Sequence, residues 1–226
     1  MAIGTSARAR GTLGALALAV AVSVVGVPPA RSGEEGFEAT VSRLSPALKE
    51  RMTGKSWHKR CPVPLRRLRL VEVSYHGFDK ERHTGRLVAH KDAAGALVGA
   101  LRSMYRHGFK IRKMWLVDRY DASDRRSMRA DNTSAFNCRK VAGTDRWSEH
   151  AYGRAIDINP VENPYVAGDG TVSPRKGAEY ADRSPRRKGM IAAGGATVRA
   201  FERAGWGWGG YWSSAKDYQH FSATAH

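Results

Sequence analysis

The chain has 226 residues, enough for one domain with an extension or for two small ones, and its 42% hydrophobic share excludes a wholly disordered polypeptide. Its formal charge of +17 points to polyanionic surroundings. The cations are spread over most segments, with no RNP-like aromatic stretch, zinc-finger spacing or heptads beside them, so nucleic-acid binding is excluded and charge sets surroundings rather than chemistry.

Arg8 and Arg10 precede the apolar run GTLGALALAVAVSVVGV, and Pro28, Pro29 and Ala30 close it. A basic head, an apolar stretch and small residues read as a secretory signal over 1–30. The run of about 17 residues lies at the low edge for a membrane span, which leaves a retained anchor as the alternative. Taking away Arg8 and Arg10 with that segment leaves +15. Residues 31–60 lack a sustained pattern and read as a linker, with a short helix near Pro46–Met52. The main domain then spans 61–226. Cys61 and Cys138 leave two readings open: a disulfide closing a loop of about 77 residues, worth ~4 kcal/mol in the chain-entropy model, or two buried thiols.

Within that domain LRLVEVSY, 68–75, sets Val71, Val73 and Tyr75 against Glu72 and Ser74, the period of a half-buried strand. RLVAH, 86–90, predicts a second strand. Asp92 is placed to cap a helix that carries Leu97, Leu101 and Met104 on one face and stops at Gly108. KMWLV, 113–117, predicts a third strand, and the polar stretch 120–134 a loop. Ala155–Asn159 reads as a strand. Pro160, Pro164, Pro174 and Pro185 punctuate a long connection over 160–188, either a lid or an insertion. Ile191, Val198 and Phe201 mark a second helix ending at Gly205. WGWGGYW, 206–212, is a Gly- and Trp-rich bend of core or cleft wall, and YQHFSA, 218–223, a last strand. The order predicts an α+β fold, a mainly antiparallel sheet with helices packed on one side.

The stretch WSEHAYGRAIDINP, 147–160, carries the chemistry. A carboxylate between Ile156 and Ile158 is costly unless a core hydrogen bond or a metal compensates it. On a strand Ile156 and Ile158 share one face, while Ala155, Asp157 and Asn159 share the other. Gly153 permits His150 to approach Asp157. On the last strand His220 and Ser222 oppose Phe221. His150, Asp157 and His220 thus match a catalytic zinc site of three protein ligands and one open position, one Zn²⁺ per chain. Asp217, three residues before His220, is placed to act as base on a water. Single histidines such as His58, His76, His83, His90 and His107 are surface or satisfied core residues. A non-haem iron oxygenase also uses two His and a carboxylate, but its first pair is His-x-Asp, and the spacing of seven here argues against it.

Read as Ser-x-His-x-x-Gly-x-Ala-x-Asp followed by acid-x-x-His, SEHAYGRAID and DYQH resemble the zinc D-Ala-D-Ala carboxypeptidases and L-alanyl-D-glutamate endopeptidases of bacterial peptidoglycan, which share their fold with the hedgehog signalling domain. The matching positions are Ser148, His150, Gly153, Ala155, Asp157, Asp217 and His220. The resemblance implies zinc on His150, Asp157 and His220, Asp217 as the catalytic base, and an upstream Arg that steadies the oxyanion. SMRADNTSAFNCR offers Arg129 and Arg139, of which Arg139 is preferred because SAFNCR reads as a strand leading to the cleft. Ser127, Asn132, Ser134 and Ser148 are expected on the substrate-binding wall, and Tyr165 either touches substrate or packs. The implied substrates are peptidoglycan stem peptides, handled by a monomer that is secreted or held on anionic cell-wall polymers by its basic surface. The competing class is a non-catalytic, zinc-containing wall-binding domain on the same scaffold.

Overall fold

Apolar residues on both faces of one strand organise the first half of the fold. The computed structural model describes residues 1–4 and 36–224, so most of the segment read as a secretory signal lies outside the described residues. β1 (Ala39–Arg43), β2 (Leu68–His76) and β3 (Arg82–His90) form an antiparallel sheet in that order, with Val71 opposite both Val41 and Leu87. Val71, Val73 and Tyr75 face one core, where α2 (Ala94–Arg106) lays Leu97, Leu101 and Met104 against them. Leu68, Leu70 and Val88 face the opposite way, onto Leu48 and Met52 of α1 (Pro46–Met52). The strands expected over 68–75, 86–90, 155–159 and 218–223 are present in whole or in part, as are both expected helices. The single sheet with helices on one side is not: α1 covers the second face of this sheet, and the remaining strands make two further small antiparallel sheets.

Four local expectations are corrected. The stretch read as a linker contributes β1 and the two buried α1 side chains. β1 gave no sequence signal because it is a polar edge strand held mainly by its backbone ladder, with Val41 exposed. Asp92 does not cap α2, which starts after Ala93 without a side-chain cap; Asp92 pairs with Arg67 at 3.3 Å instead. Residues 113–117 form no strand, only one bridge between Met114 and Thr133, and the loop 120–134 contains α3 (Asp124–Arg129), capped by Ser123 Oγ accepting from the Arg126 amide.

The second sheet holds β4 (Ala155–Asp157), β9 (His220–Ser222) and β7 (Gly207–Trp208) in that spatial order. The third holds β6 (Val172–Ser173), β5 (Tyr165–Val166) and β8 (Lys216–Asp217). Behind the second sheet α4 (Ala196–Arg203) buries Val198 and Phe201, whose ring stacks on Phe221 at 4.1 Å. The long connection after β4 is tied down rather than loose. Buried Asn163 donates to Gly189 O and accepts from the Ile191 amide, and Arg183 reaches Glu162 O, Asn163 Oδ1 and Ile191 O.

Arg112 ties this connection to the segment beyond α3, at 2.9 Å from Glu162 and 3.3 Å from Asp131. Burial and the neighbouring Asp131 carboxyl raise the Glu162 pKa to about 7, against the pull of Arg112. The fold therefore favours neutral Glu162. That stabilisation is complete below about pH 4.5 and is lost as pH rises through 7. Glu162→Gln should abolish this loss, so wild type should fall relative to the variant by on the order of 2 kcal/mol between pH 4.5 and 7.5 in urea titrations; parallel curves would mean Glu162 does not titrate in that window.

Cys61 and Cys138 are disulfide-bonded, with Cα atoms 5.8 Å apart and a separation of 77 in sequence. Replacing both by Ser should lower unfolding free energy by about 4 kcal/mol, read as the shift in urea midpoint at constant slope.

Candidate metal centre

β4 and β9 pair with Asp157 directly opposite His220 and Ile156 opposite Phe221. Cross-strand partners share a face. The apolar pair therefore enters the core, and the carboxylate and imidazole emerge together on the other side, 3.0 Å apart at Asp157 Oδ1 and His220 Nδ1.

His150 comes from a 3-10 turn, Glu149–Tyr152, opened by Ser148 Oγ accepting from the His150 amide. Gly153 ends the turn at φ +67°, a conformation side chains other than glycine rarely adopt. Its Cα packs so tightly on β3 that an added Cβ would lie 2.6 Å from His90 N. Gly153 is thus needed for turn geometry and packing on β3, a different reason from the approach of His150 to Asp157 inferred from sequence.

The His150 Nδ1–H donates to Ala135 O at 2.5 Å, which leaves Nε2 as the ring's free acceptor. That atom lies 3.2 Å from Asp157 Oδ2 and 3.3 Å from His220 Nδ1. One ligand atom from each of the three residues thus converges in a space suited to a cation, and the residues are only 3%, 5% and 7% exposed (His150, Asp157 and His220). A carboxylate and two imidazoles, one with its tautomer fixed by a carbonyl behind it, form a donor set that fits zinc. Electrostatics agree with the crowding. Burial would raise the Asp157 pKa, but His150 and then His220 hold it well below the carboxylate range; burial opposes charge on His150, and Asp157 outweighs it and raises its pKa.

Asp217 stands in β8, opposite Tyr165 of β5. Its Oδ1 is buried without a hydrogen-bond partner among the described residues. Burial first, and the negative charge of Asp157 second, push its pKa up to about 6. Gly209 makes room for it, since a Cβ there would lie 2.7 Å from Asp217 O. The bend WGWGG therefore packs against the backbone and Cβ of Asp217, a role its composition alone did not reveal.

The segment Ser134–Cys138 frames the ligands without being a strand. Ser134 exchanges two backbone hydrogen bonds with Asp157, Phe136 N donates to Val88 O, Asn137 N to His150 O and Cys138 N to Ser56 O. Successive residues thus serve different partners, so the expected strand is a strap. Arg139 at its end places Nη2 3.0 Å from Asp124 Oδ2, whereas Arg129 is exposed on α3. Among the expected wall residues, Ser127 and Asn132 are buried, bonded to each other and, through Asn132, to the Trp115 backbone. They brace the wall from within rather than line its surface, because those bonds consume the Asn132 amide. Ser148 caps the ligand turn, Ser134 clamps Asp157, and Tyr165 lies beside Asp217 by strand register.

Residues 142–223 match the family model described as D-alanyl-D-alanine carboxypeptidase, which bears out the resemblance carried by the motif. The matched segment contains His150, Asp157, Asp217 and His220, while Arg139 lies just before it. Neither the curated proteins nor the solved structures yield a match.

Gly153→Ala should be strongly destabilising, by about 2–3 kcal/mol from left-handed strain plus the clash with β3, and should weaken metal uptake by displacing His150. Thermal melts and metal titration of the same preparation check both effects; unchanged melting would show that the turn tolerates a side chain.

Proposed function

We propose that the protein is an exported zinc peptidase that hydrolyses an amide bond in peptidoglycan stem peptides, built on a hedgehog/DD-peptidase type of scaffold. The observation that carries this reading is the convergence of His150 Nε2, His220 Nδ1 and the Asp157 carboxylate near a second, half-buried carboxylate whose Oδ1 is enclosed without a hydrogen-bond partner among the described residues. The family match over 142–223 supports a peptidase working on peptidoglycan.

His150, Asp157 and His220 would hold the metal. Zinc bound there supplies a Lewis acid for the scissile carbonyl and lowers the pKa of water. Asp217 Oδ1 takes the proton of the attacking water and passes it to the leaving amine, so water and amide become a carboxylic acid and an amine. The burial that raises the Asp217 pKa suits a group that must both accept and return a proton near neutrality. Arg139 supplies positive charge to steady the oxyanion. Ser134, Ser148 and Tyr165 complete the frame around the substrate, with Ser127 and Asn132 bracing it. The surplus of Lys and Arg holds the secreted monomer near anionic wall polymers.

His150→Ala, Asp157→Ala and His220→Ala should each lose stoichiometric zinc and with it turnover. Asp217→Ala should keep zinc and lose at least about a hundredfold in kcat. Elemental analysis and mass spectrometry of digested peptidoglycan fragments read both quantities, and product mass identifies the bond cut. Zinc without hydrolysis would point to the wall-binding alternative; near-normal turnover of Asp217→Ala would remove it as the base.

A further inference from the structure

The disulfide has a third neighbour, His58, which its sequence alone marks only as a single surface or core histidine. His58 and Cys61 share one turn, in which the Cys61 amide donates to His58 O at 2.9 Å and the His58 amide to Cys61 Sγ at 3.0 Å. The His58 ring faces the other sulfur, with Nε2 3.6 Å from Cys138 Sγ. One ligand atom from each of the three residues lies within 4.8 Å of the other two. Cys138 is buried, and His58 and Cys61 are half-buried. Bonds of about 2.0–2.1 Å to nitrogen and about 2.3 Å to sulfur, at the tetrahedral angle, put a nitrogen and a sulfur on one zinc about 3.6 Å apart. A disulfide sulfur is a weak acceptor and requires neither contact. Hydrogen bonds that bypass the sulfurs hold the frame as well. Cys138 N donates to Ser56 O, Ser56 Oγ to buried Asp118 Oδ1 at 2.8 Å, and Trp57 Nε1 to Val63 O at 2.9 Å. Trp147 packs beside the His58 ring, their centroids 6.0 Å apart.

We infer that His58, Cys61 and Cys138 form a second metal site in the dithiol form of the chain. It takes a thiophilic cation such as Zn²⁺ on two thiolates and one imidazole, with the fourth position left to water. Ion and disulfide are then alternative closures of the same loop. A dithiol reductant gives two electrons to the S–S bond and leaves as its own disulfide, freeing two thiols; each thiol gives up its proton as its sulfur takes the cation. A disulfide-bearing oxidant reverses this: it takes two electrons from the two thiolates, the S–S bond forms and the ion departs. The His58 amide on Cys61 Sγ favours the thiolate, as do Lys59 and Arg60 in the same turn. Cys138 ends the strap whose Ala135 carbonyl orients His150 and whose Ser134 clamps Asp157. Either closure therefore anchors that strap, the ion before oxidation and the disulfide after it.

The test titrates Co²⁺ into the 226-residue protein, either with its disulfide intact or after reduction by a dithiol that is then removed under argon. Thiolate-to-cobalt charge transfer arises only where sulfur binds, so the His150, Asp157 and His220 group is silent in that band. Reduced wild type should take up one equivalent more than the oxidised protein and show the band, which the oxidised protein should lack. His58→Ala keeps the disulfide and with it the oxidised fold. After reduction it should bind the band-forming Co²⁺ at least about tenfold more weakly, the lower end for losing a residue that only backs a ligand. A second readout is the urea midpoint of the reduced chain, which Zn²⁺ should raise further in wild type than in His58→Ala, while the two oxidised proteins respond to Zn²⁺ alike. Absence of the band on reduction, equal affinity or equal midpoint shifts in reduced His58→Ala, or a band that grows in only as the far-ultraviolet circular dichroism of the fold is lost would overturn the inference.

Discussion

The register of two three-residue strands underlies everything at this site. β4 and β9 pair so that Ile156 meets Phe221 on one face and Asp157 meets His220 on the other. Ile156 and Phe221 are fully buried, with Phe201 stacked beneath Phe221. Each such side chain contributes about 1.5–3 kcal/mol by leaving water. A slip of one residue would expose both and turn the carboxylate and imidazole into the core, where an unpaired charge costs several kcal/mol. The apolar face therefore fixes the polar one. The carboxylate is tolerated because two imidazoles meet it on the side that the core does not use.

The third residue of the candidate metal group depends on a different device. His150 sits on a turn rather than on a strand, so no ladder sets its position. Its placement comes from a cap at Ser148, a left-handed glycine at 153 and the carbonyl of Ala135. That carbonyl belongs to the Ser134–Cys138 strap, which also clamps Asp157 through Ser134 and is bound to the N-terminal half by the Cys61–Cys138 disulfide. The two cysteines, distant from His150, Asp157 and His220 in sequence, are thereby part of how those side chains are oriented. Such backing of a histidine ligand by a carbonyl fixes its tautomer as well as its direction.

The parts of this arrangement legible in the sequence are those with a period or a fixed spacing. Val71, Val73 and Tyr75 announced β2, the stripe Leu97, Leu101 and Met104 announced α2, and the Ile-Asp-Ile alternation put Asp157 opposite the core. The other parts carry no such signal. β1 is a polar edge, so only its pairing with β2 defines it. The strap from Ser134 to Cys138 bonds to several elements in turn, and no single periodicity describes that. α3 did leave a trace, Ser123 followed by Asp124 at a helix start, within a stretch whose polarity masked it. The engagement of Ser127 and Asn132 with each other, instead of with the cleft, depends on a tertiary contact to Trp115 that local sequence does not encode.

The two acidic residues of the centre show how neighbours separate identical chemistry. Asp157 and Asp217 are both Asp, both enclosed, and close enough for each to feel the other. Asp157 lies between two imidazoles and is held ionised. Asp217 has a buried oxygen without a hydrogen-bond partner among the described residues and a second negative charge nearby, so its proton is retained to about pH 6. Environments that push two carboxyls apart in this way divide labour between them: the one that stays charged suits a cation, and the one near neutrality suits a travelling proton. A cation on the three residues would offset the Asp157 charge that raises Asp217 and so move the second carboxyl toward the ionised form a base requires. The three-residue group and Asp217 are thus coupled electrostatically, and the strand register that places Asp157 also bears on the charge state of Asp217.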